Sequence, residues 1–372
     1  MVAKRLARIG WLVMAAALAG CGGTAQVSST GGSAPASTAA GASAAVGSGG
    51  AAANDALYQK AKAEGQVVWN SATAEDIFAP VIQSFEKTYP GVKVAFATVK
   101  PGDITTNVRV QQAAHKVSID VAQSGELDFS AILNEHLPDE SIDWTKLGVP
   151  ANQVAEKAFM AYSSTPTAWI YNTQKVTGAD IPKSWDDVLD PKWQGKIAVD
   201  GRGTFMGVFA AIPELGQDKG LEFARKLAAQ KPLFQSSQSA VEPMVISGQV
   251  LIGTDVVSSF LAAQKKGAPI EIAPISPIHA SASFAYVPNG APHPNAAQLL
   301  VSWLGSPAGQ AELDKAGYSA LGSCSDSKQS TLTAALCSRN LDWSHMTQRQ
   351  QFDDMAPYLQ KVQQAFGTYS GK

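Results

Sequence analysis

Residues 165–204 read TPTAWIYNTQKVTGADIPKSWDDVLDPKWQGKIAVDGRGT. The run Trp169-Ile170-Tyr171 is rich in strand-favouring residues, and Lys196-Ile197-Ala198-Val199 is a second short strand, apolar enough to be buried. Between them, Ser184 precedes Trp185-Asp186-Asp187, which predicts a short helix with Ser184 as its N-cap. The second strand ends in Asp200-Gly201-Arg202-Gly203-Thr204, and an apolar helix follows. A strand that passes through a glycine-rich turn into a helix N-terminus gathers unpaired N–H groups and the positive end of the helix dipole. That suits an anion.

Working outward, the same alternation recurs. Upstream, helix is predicted over 55–63, strand over 66–70, and helix over 76–88 with Ile77, Val81, Ile82 and Phe85 on one face. A strand over 92–99 follows, then a helix capped by Asp103 that runs to about 115, a strand over 119–122 and a short helix over 129–133. Residues 159–162 and 168–171 read as two strands about a connection at 163–167, crossing from a first lobe to a second. Tyr162 and Trp169 on them can stack on a ligand or pack the hinge. Downstream, helices are predicted over 205–215, 219–229 and 239–246, then a strand over 250–253 that ends in Thr254-Asp255. A strand over 270–275 is expected to return the chain to the first lobe, and Ala282, Phe284 and Tyr286 alternate like another strand. Strands that alternate with helices make an α/β fold with a largely parallel sheet. Ligands bind such sheets at the carboxyl ends of the strands, where Ser71, Ala72, Thr73, Ser124 and Gly125 stand.

The 372 residues allow two domains, and 45% hydrophobic content supplies sizeable cores. With 29 basic against 31 acidic residues, nothing points to a nucleic-acid partner. Lys4, Arg5 and Arg8 precede an apolar run over 9–19 that is too short to span a bilayer. The run ends in Leu18-Ala19-Gly20-Cys21, which resembles the bacterial lipobox, so Cys21 is expected to carry a lipid. Residues 22–53 are almost entirely Gly, Ala, Ser and Thr and predict a flexible tether. Export with an anchor places the protein on the outer face of the cytoplasmic membrane. Cys324 and Cys337 are then left to pair in an oxidising compartment. Their spacing fits no usual metal-ligand pattern, and His345 is the one histidine nearby.

YNT followed by PKSWDDVLDPKWQGKI resembles the central signature of extracellular solute-binding proteins of bacterial ABC importers, in the branch that includes ferric-iron, thiamine and phosphonate binders. EGQVVWNSA…IQSFEKTYPGVKV resembles the opening of those proteins, and APHPNAAQLLVSWLGSPAGQAEL their return segment, so the likeness covers about 64–317. It implies a two-lobed periplasmic-binding-protein fold of type 2, with a two-strand hinge and a central cleft. The expected organisation is a signal peptide over 1–20, lipidated Cys21 and tether over 21–53, and a first lobe over 54–165 and 273–322. The second lobe covers 166–272, and a helical tail with the candidate disulfide covers 323–372. The tail, with a helix near 355–366, departs from the family pattern.

The function implied is capture of a small solute and its delivery to a permease and ATPase, by a monomer without cofactor or metal. Ferric binders of this family place tyrosines after the strand at Gly253. Here the chain reads Thr254-Asp255-Val256-Val257, and no His or Tyr stands at Ser71-Ala72-Thr73, so hard anionic donors for ferric iron are lacking. Hydroxyls, backbone amides and Arg202 instead suit a polar organic solute, anionic or zwitterionic, with Asp255 holding an amine or orienting Arg202. The candidate site is thus Ser71, Ala72, Thr73, Ser124, Gly125, Trp169, Arg202, Gly203, Thr204, Thr254 and Asp255. Iron or an iron chelate is the alternative. An exported enzyme or a sensor is a lower one, because neither GxSxG nor HExxH occurs and the glycines at 201, 203 and 207 miss the dinucleotide spacing.

Overall fold

Helix α1 (Ser48–Glu64) buries Leu57 and Ala61 and leads into β1 (Gln66–Ser71). The computed structural model describes residues 48–367, with side chains from 55 onward. The signal, Cys21 and the tether as far as 47 lie outside the described residues. The helix begins inside the stretch expected to be tether, since alanines over 51–53 extend it backward. In α2 (Glu75–Thr88), Phe78, Val81 and Phe85 share the buried face and two acids in the first turn favour the dipole. Next come β2 (Lys93–Thr98) and α3 (Pro101–Ala113). Pro101 opens α3, so Asp103 lies within the first turn and is not the cap.

Strand β3 (Val121–Ser124) runs into α4 (Glu126–Asn134), and β4 (Val154–Ala155) precedes β5 (Phe159–Asn172). The expected two strands are one. Residues 163–167 look turn-like, yet they pair with β10 (Ile278–Tyr286) from Ser163↔Ser283 to Thr167↔His279. A continuous partner overrides the local composition. After β6 (Ile197–Asp200) the expected helix over 205–215 shrinks to a 3₁₀ turn, Thr204–Gly207, and α5 (Val208–Ala211). Pro213 forces Ile212 into extended backbone and stops it.

The second lobe continues with α6 (Gly216–Ala229), β7 (Leu233–Gln235), α7 (Glu242–Ile246), β8 (Ile252–Val256), α8 (Val257–Lys265) and β9 (Ile270–Ile272). Strand β9 pairs with the far end of β5 and so stays in the second lobe; β10 makes the return. Helices α9 (Pro294–Gly305) and α10 (Pro307–Lys315) complete the first lobe. The tail holds α11 (Thr331–Cys337), β11 (Trp343–Ser344) and α12 (Arg349–Ala365).

The strand order is β2-β1-β3-β10-β5-β8-β6-β7. The outer pairs are parallel, and β10 and β5 run antiparallel through the middle as the two-strand hinge. In the first lobe Trp69 stacks on Phe78 with centroids 5.1 Å apart, and Trp303 joins the same core. In the second, Ile170, Val245 and Phe260 pack with Leu336 of the tail. A third cluster joins both lobes through α12.

Cys324 and Cys337 are bridged, with Cα atoms 5.6 Å apart across a sequence separation of 13. Closing a loop of about that length contributes roughly 3 kcal/mol in the chain-entropy account. Replacing both by serine should therefore lower stability to urea by about 2–4 kcal/mol, and reductant should remove the difference. Two free thiols in the oxidised protein by mass spectrometry would contradict the bridge.

Candidate functional site

Strands β1 and β3 are parallel neighbours, so their carboxyl ends meet at one edge of the sheet. There Ser71, fully buried, donates its Oγ to Gln123 Oε1 at 2.5 Å. The Ala72 N–H donates to the same oxygen at 2.8 Å, and the Thr73 N–H donates to Ser71 Oγ at 3.2 Å. This group is therefore held within its own lobe by Gln123, a residue that sequence reading passed over. Ser124, also buried, has no partner for its Oγ among the described residues. Gly125 stands at the N-cap of α4, with Glu126 behind it in the first turn.

The second lobe answers with Asp200, fully buried at the end of β6. Its Oδ1 accepts from the Arg202 N–H at 2.9 Å and from Arg202 Nε at 3.0 Å. Its Oδ2 accepts from Arg202 Nη2 at 2.7 Å and from Thr204 Oγ1 at 3.2 Å. Arg202 is thus turned back on its own strand end, and Asp255 does not orient it. The two-residue offset within the turn brings the guanidinium to the nearer carboxylate. Burying that carboxylate without a partner would be costly. Gly203 adopts left-handed backbone, φ 71°. Gln238 Nε2 donates to Thr167 Oγ1 at 3.2 Å and lies 3.5 Å from Thr204 Oγ1, so the turn is tied to the hinge strand.

Trp169 is enclosed edge-on to Trp185 and Phe205, with centroids 6.3 and 5.6 Å away, and serves packing rather than stacking on a ligand. Thr254 is buried with its Oγ1 unpartnered. Asp255 is 1% exposed; its Oδ1 accepts from the Val256 N–H at 2.8 Å, while Oδ2 makes no hydrogen bond of good geometry. Burial, and then the adjacent Glu242 carboxyl, push Asp255 up to about 9, so it holds a proton at neutral pH.

Between the two groups lies a pair that sequence reading did not single out. Glu126 of α4 and His279 of β10 are both buried, with Oε2 and Nε2 2.9 Å apart. Glu126 Oε1 also accepts from the Ala282 N–H at 3.0 Å. The His279 ring lies so close to the second lobe that a Cβ on Gly207 would come within 2.7 Å of it. The first lobe, the hinge and the second lobe therefore meet at Glu126–His279–Gly207. An acid directly behind a strand end was the available sequence signal for Glu126; His279 carried none. Burial holds the imidazole of nearby His345 below its ordinary value.

No hydrogen bond joins the Ser71 group to the Arg202 group among the described residues. Helix α12 instead covers the Thr204–Gly207 turn and packs on α4, α5 and α6. Its Phe352 stacks on Phe129 of α4 at 4.1 Å, and its Tyr358 donates to the Met206 carbonyl at 3.3 Å.

Two α/β lobes, hinged by two antiparallel strands and presenting their strand ends to each other, define a periplasmic-type binding protein of type 2. The family described as bacterial extracellular solute-binding protein matches residues 81–335, and the chain belongs to it. Among its relatives, an uncharacterized protein of Haemophilus influenzae is 23% identical over 278 residues, covering 70% of this chain and 78% of that one. Solved structures share the fold. The substrate-binding protein of an ABC transporter from Agrobacterium tumefaciens superposes with a TM-score of 0.64 at 16% identity, covering 81% of this chain and 94% of that one. The apo ferric ion-binding protein A of Pasteurella haemolytica gives 0.66 at 15% identity, covering 82% and 99%. The chain is accordingly an extracellular solute-binding protein by family, and the solved structures share its fold.

Proposed function

We infer that this protein captures a small polar organic solute, anionic or zwitterionic, between its lobes and passes it to a permease coupled to an ATPase. The observation that carries this reading is the set of polar groups at strand ends on both lobes. Ser124 and Gly125 stand on one side and Gly203, Thr204 and Thr254 on the other, with buried hydroxyls still unpartnered at Ser124 and Thr254. Contacts to both lobes would stabilise a closed form over an open one, and the importer would read that form. No bond is made or broken, so the reading excludes catalysis. A lipid on Cys21 would keep the protein beside its permease, acting as a monomer.

Ferric iron is the second reading, because a ferric ion-binding protein shares the fold. Against a bare ion stands the donor set. The stretch after Gly253 reads Thr254-Asp255-Val256-Val257, without tyrosine, and no three His, Cys, Asp or Glu side chains form a group that could hold a metal ion among the described residues.

A thermal-shift panel of ferric salts and chelates, phosphate, phosphonates, thiamine, polyamines, sugars and amino acids tests the choice. A cognate organic anion at a hundredfold over its Kd should stabilise the protein by roughly 2.7 kcal/mol. Stabilisation by ferric salts alone would replace the organic reading with the metal.

A further inference from the structure

We propose that α12 is the resident occupant of the interlobe cleft. It holds the lobes together in the absence of solute and must leave before a solute is seated. The inference rests on reading the cleft as the solute site.

Phe352, Met355, Leu359, Val362 and Phe366 repeat at three and four residues, with Tyr358 beside them, and all are buried. The opposite face carries Asp353, Gln360, Lys361, Gln363 and Gln364. The apolar face does not lie on one lobe. Its N-terminal half touches both lobes: Phe352 stacks on Phe129 and Arg349 donates to Asn134 Oδ1 at 2.6 Å in lobe one, while Gln351 donates to the Ala211 carbonyl in lobe two. Its second half belongs to lobe two: Tyr358 reaches the Met206 carbonyl, Gln363 Nε2 donates to the Arg202 carbonyl at 3.3 Å, and Phe366 lies 5.0 Å from Phe234.

The seat in lobe two is bare backbone. A Cβ on Gly203 would come within 2.7 Å of Val362, one on Gly207 within 2.8 Å of Met355, and one on Gly220 within 2.1 Å of the Tyr358 hydroxyl. Gly203 belongs to the same strand-end turn that is read as the solute contact. The helix therefore covers that turn and spans to the other lobe, as a bound solute would.

Pro357 falls between the two halves. It lacks the N–H that would bond back one turn, so the helix is weakest at its middle, C-terminal to its contacts with lobe one. Separating the lobes must tear α12 from its seat on one of them. A helix that competes for the cleft lowers the apparent affinity by the fraction of molecules in which it is released.

Hydrogen exchange on the full mature chain reads this directly. If α12 is displaceable, its amides open locally and exchange at least about tenfold faster than those of α9 in the first-lobe core. Phe352→Ala should raise α12 exchange about a further tenfold, leave α9 unchanged and increase binding of the apolar dye anilinonaphthalene sulfonate, as Phe129 and Phe205 become accessible. Pro357→Ala should act oppositely and slow α12 exchange, which keeps the test informative even if Phe352→Ala does not fold. Protection of α12 equal to that of α9, with no effect of Pro357→Ala, overturns the proposal and makes α12 a permanent core element.

The two readings part cleanly. A panel compound that stabilises the protein and speeds α12 exchange supports both. One that stabilises it while α12 exchange stays as slow as that of α9 overturns the resident occupant and leaves solute capture standing. Local opening of α12 with no stabilising compound supports the device and counts against the solute class.

Discussion

Asp255→Asn is expected to make the folded protein more stable at neutral pH, by about 3–4 kcal/mol, with the gain growing as pH rises. Asp255 is buried beside Glu242 and titrates near 9 in the fold, against an ordinary value of 3.8. An unfolded chain gives up this proton near pH 4, and the folded chain keeps it until about pH 9. Between those limits unfolding releases a proton, so raising the pH favours the unfolded state. The contribution is intact below the unfolded value and is lost at about 1.4 kcal/mol per pH unit on the way up. Asparagine keeps the shape and the oxygen that accepts from Val256, and it has no proton to lose. Urea denaturation of both proteins at pH 5, 7 and 9 provides the measurement. A difference that does not change with pH would mean that Asp255 is ionised in the fold, with a cation beside it in solution.

Glu126→Ala is expected to cost about 3–5 kcal/mol, as removal of one partner from a buried pair does. The substitution would leave the Ala282 N–H and the His279 ring without their acceptor in a site closed to water. Glu126→Gln keeps an oxygen for Ala282 and most of the volume, so its loss should be nearer 1 kcal/mol. Equal losses in the two variants would show that the carboxylate charge, and not the hydrogen bond to Ala282, holds α4 to the hinge. A loss below about 1 kcal/mol for the alanine variant would remove the pair from any account of how the lobes are joined.

The solute reading and the resident helix meet at the turn over 200–204. In sequence its amides suggest an anion seat, because a strand, a glycine-rich turn and a helix N-terminus follow one another directly, yet the Gly201, Arg202 and Gly203 N–H groups donate to Gln235 and Asp200 of the protein itself. What covers the turn was not legible. Arg202 looked free for a solute because nothing in its neighbourhood says that Asp200 would be wholly buried and in need of a cation. The stripe from Phe352 to Phe366 identified an apolar face, yet every amphipathic helix has one. Only the bare glycine backbones opposite it distinguish a cleft from any other surface.

By itself the sequence determined the class of fold, the two lobes, the solute-binding signature about 165–204 and the cysteine pair. The fold class rests on periodicity, the signature on resemblance to a known family, and the cysteine pair on an oxidising compartment that leaves Cys324 and Cys337 over once Cys21 is lipidated. The tertiary structure decided that 159–172 is one hinge strand, that Glu126 meets His279 and that α12 lies between the lobes. Those outcomes depend on partners far apart in sequence, such as Gln363 on the Arg202 carbonyl across 161 residues. Which distant surfaces can approach that closely is settled by burial and shape once the chain has closed on itself, and no local pattern encodes it.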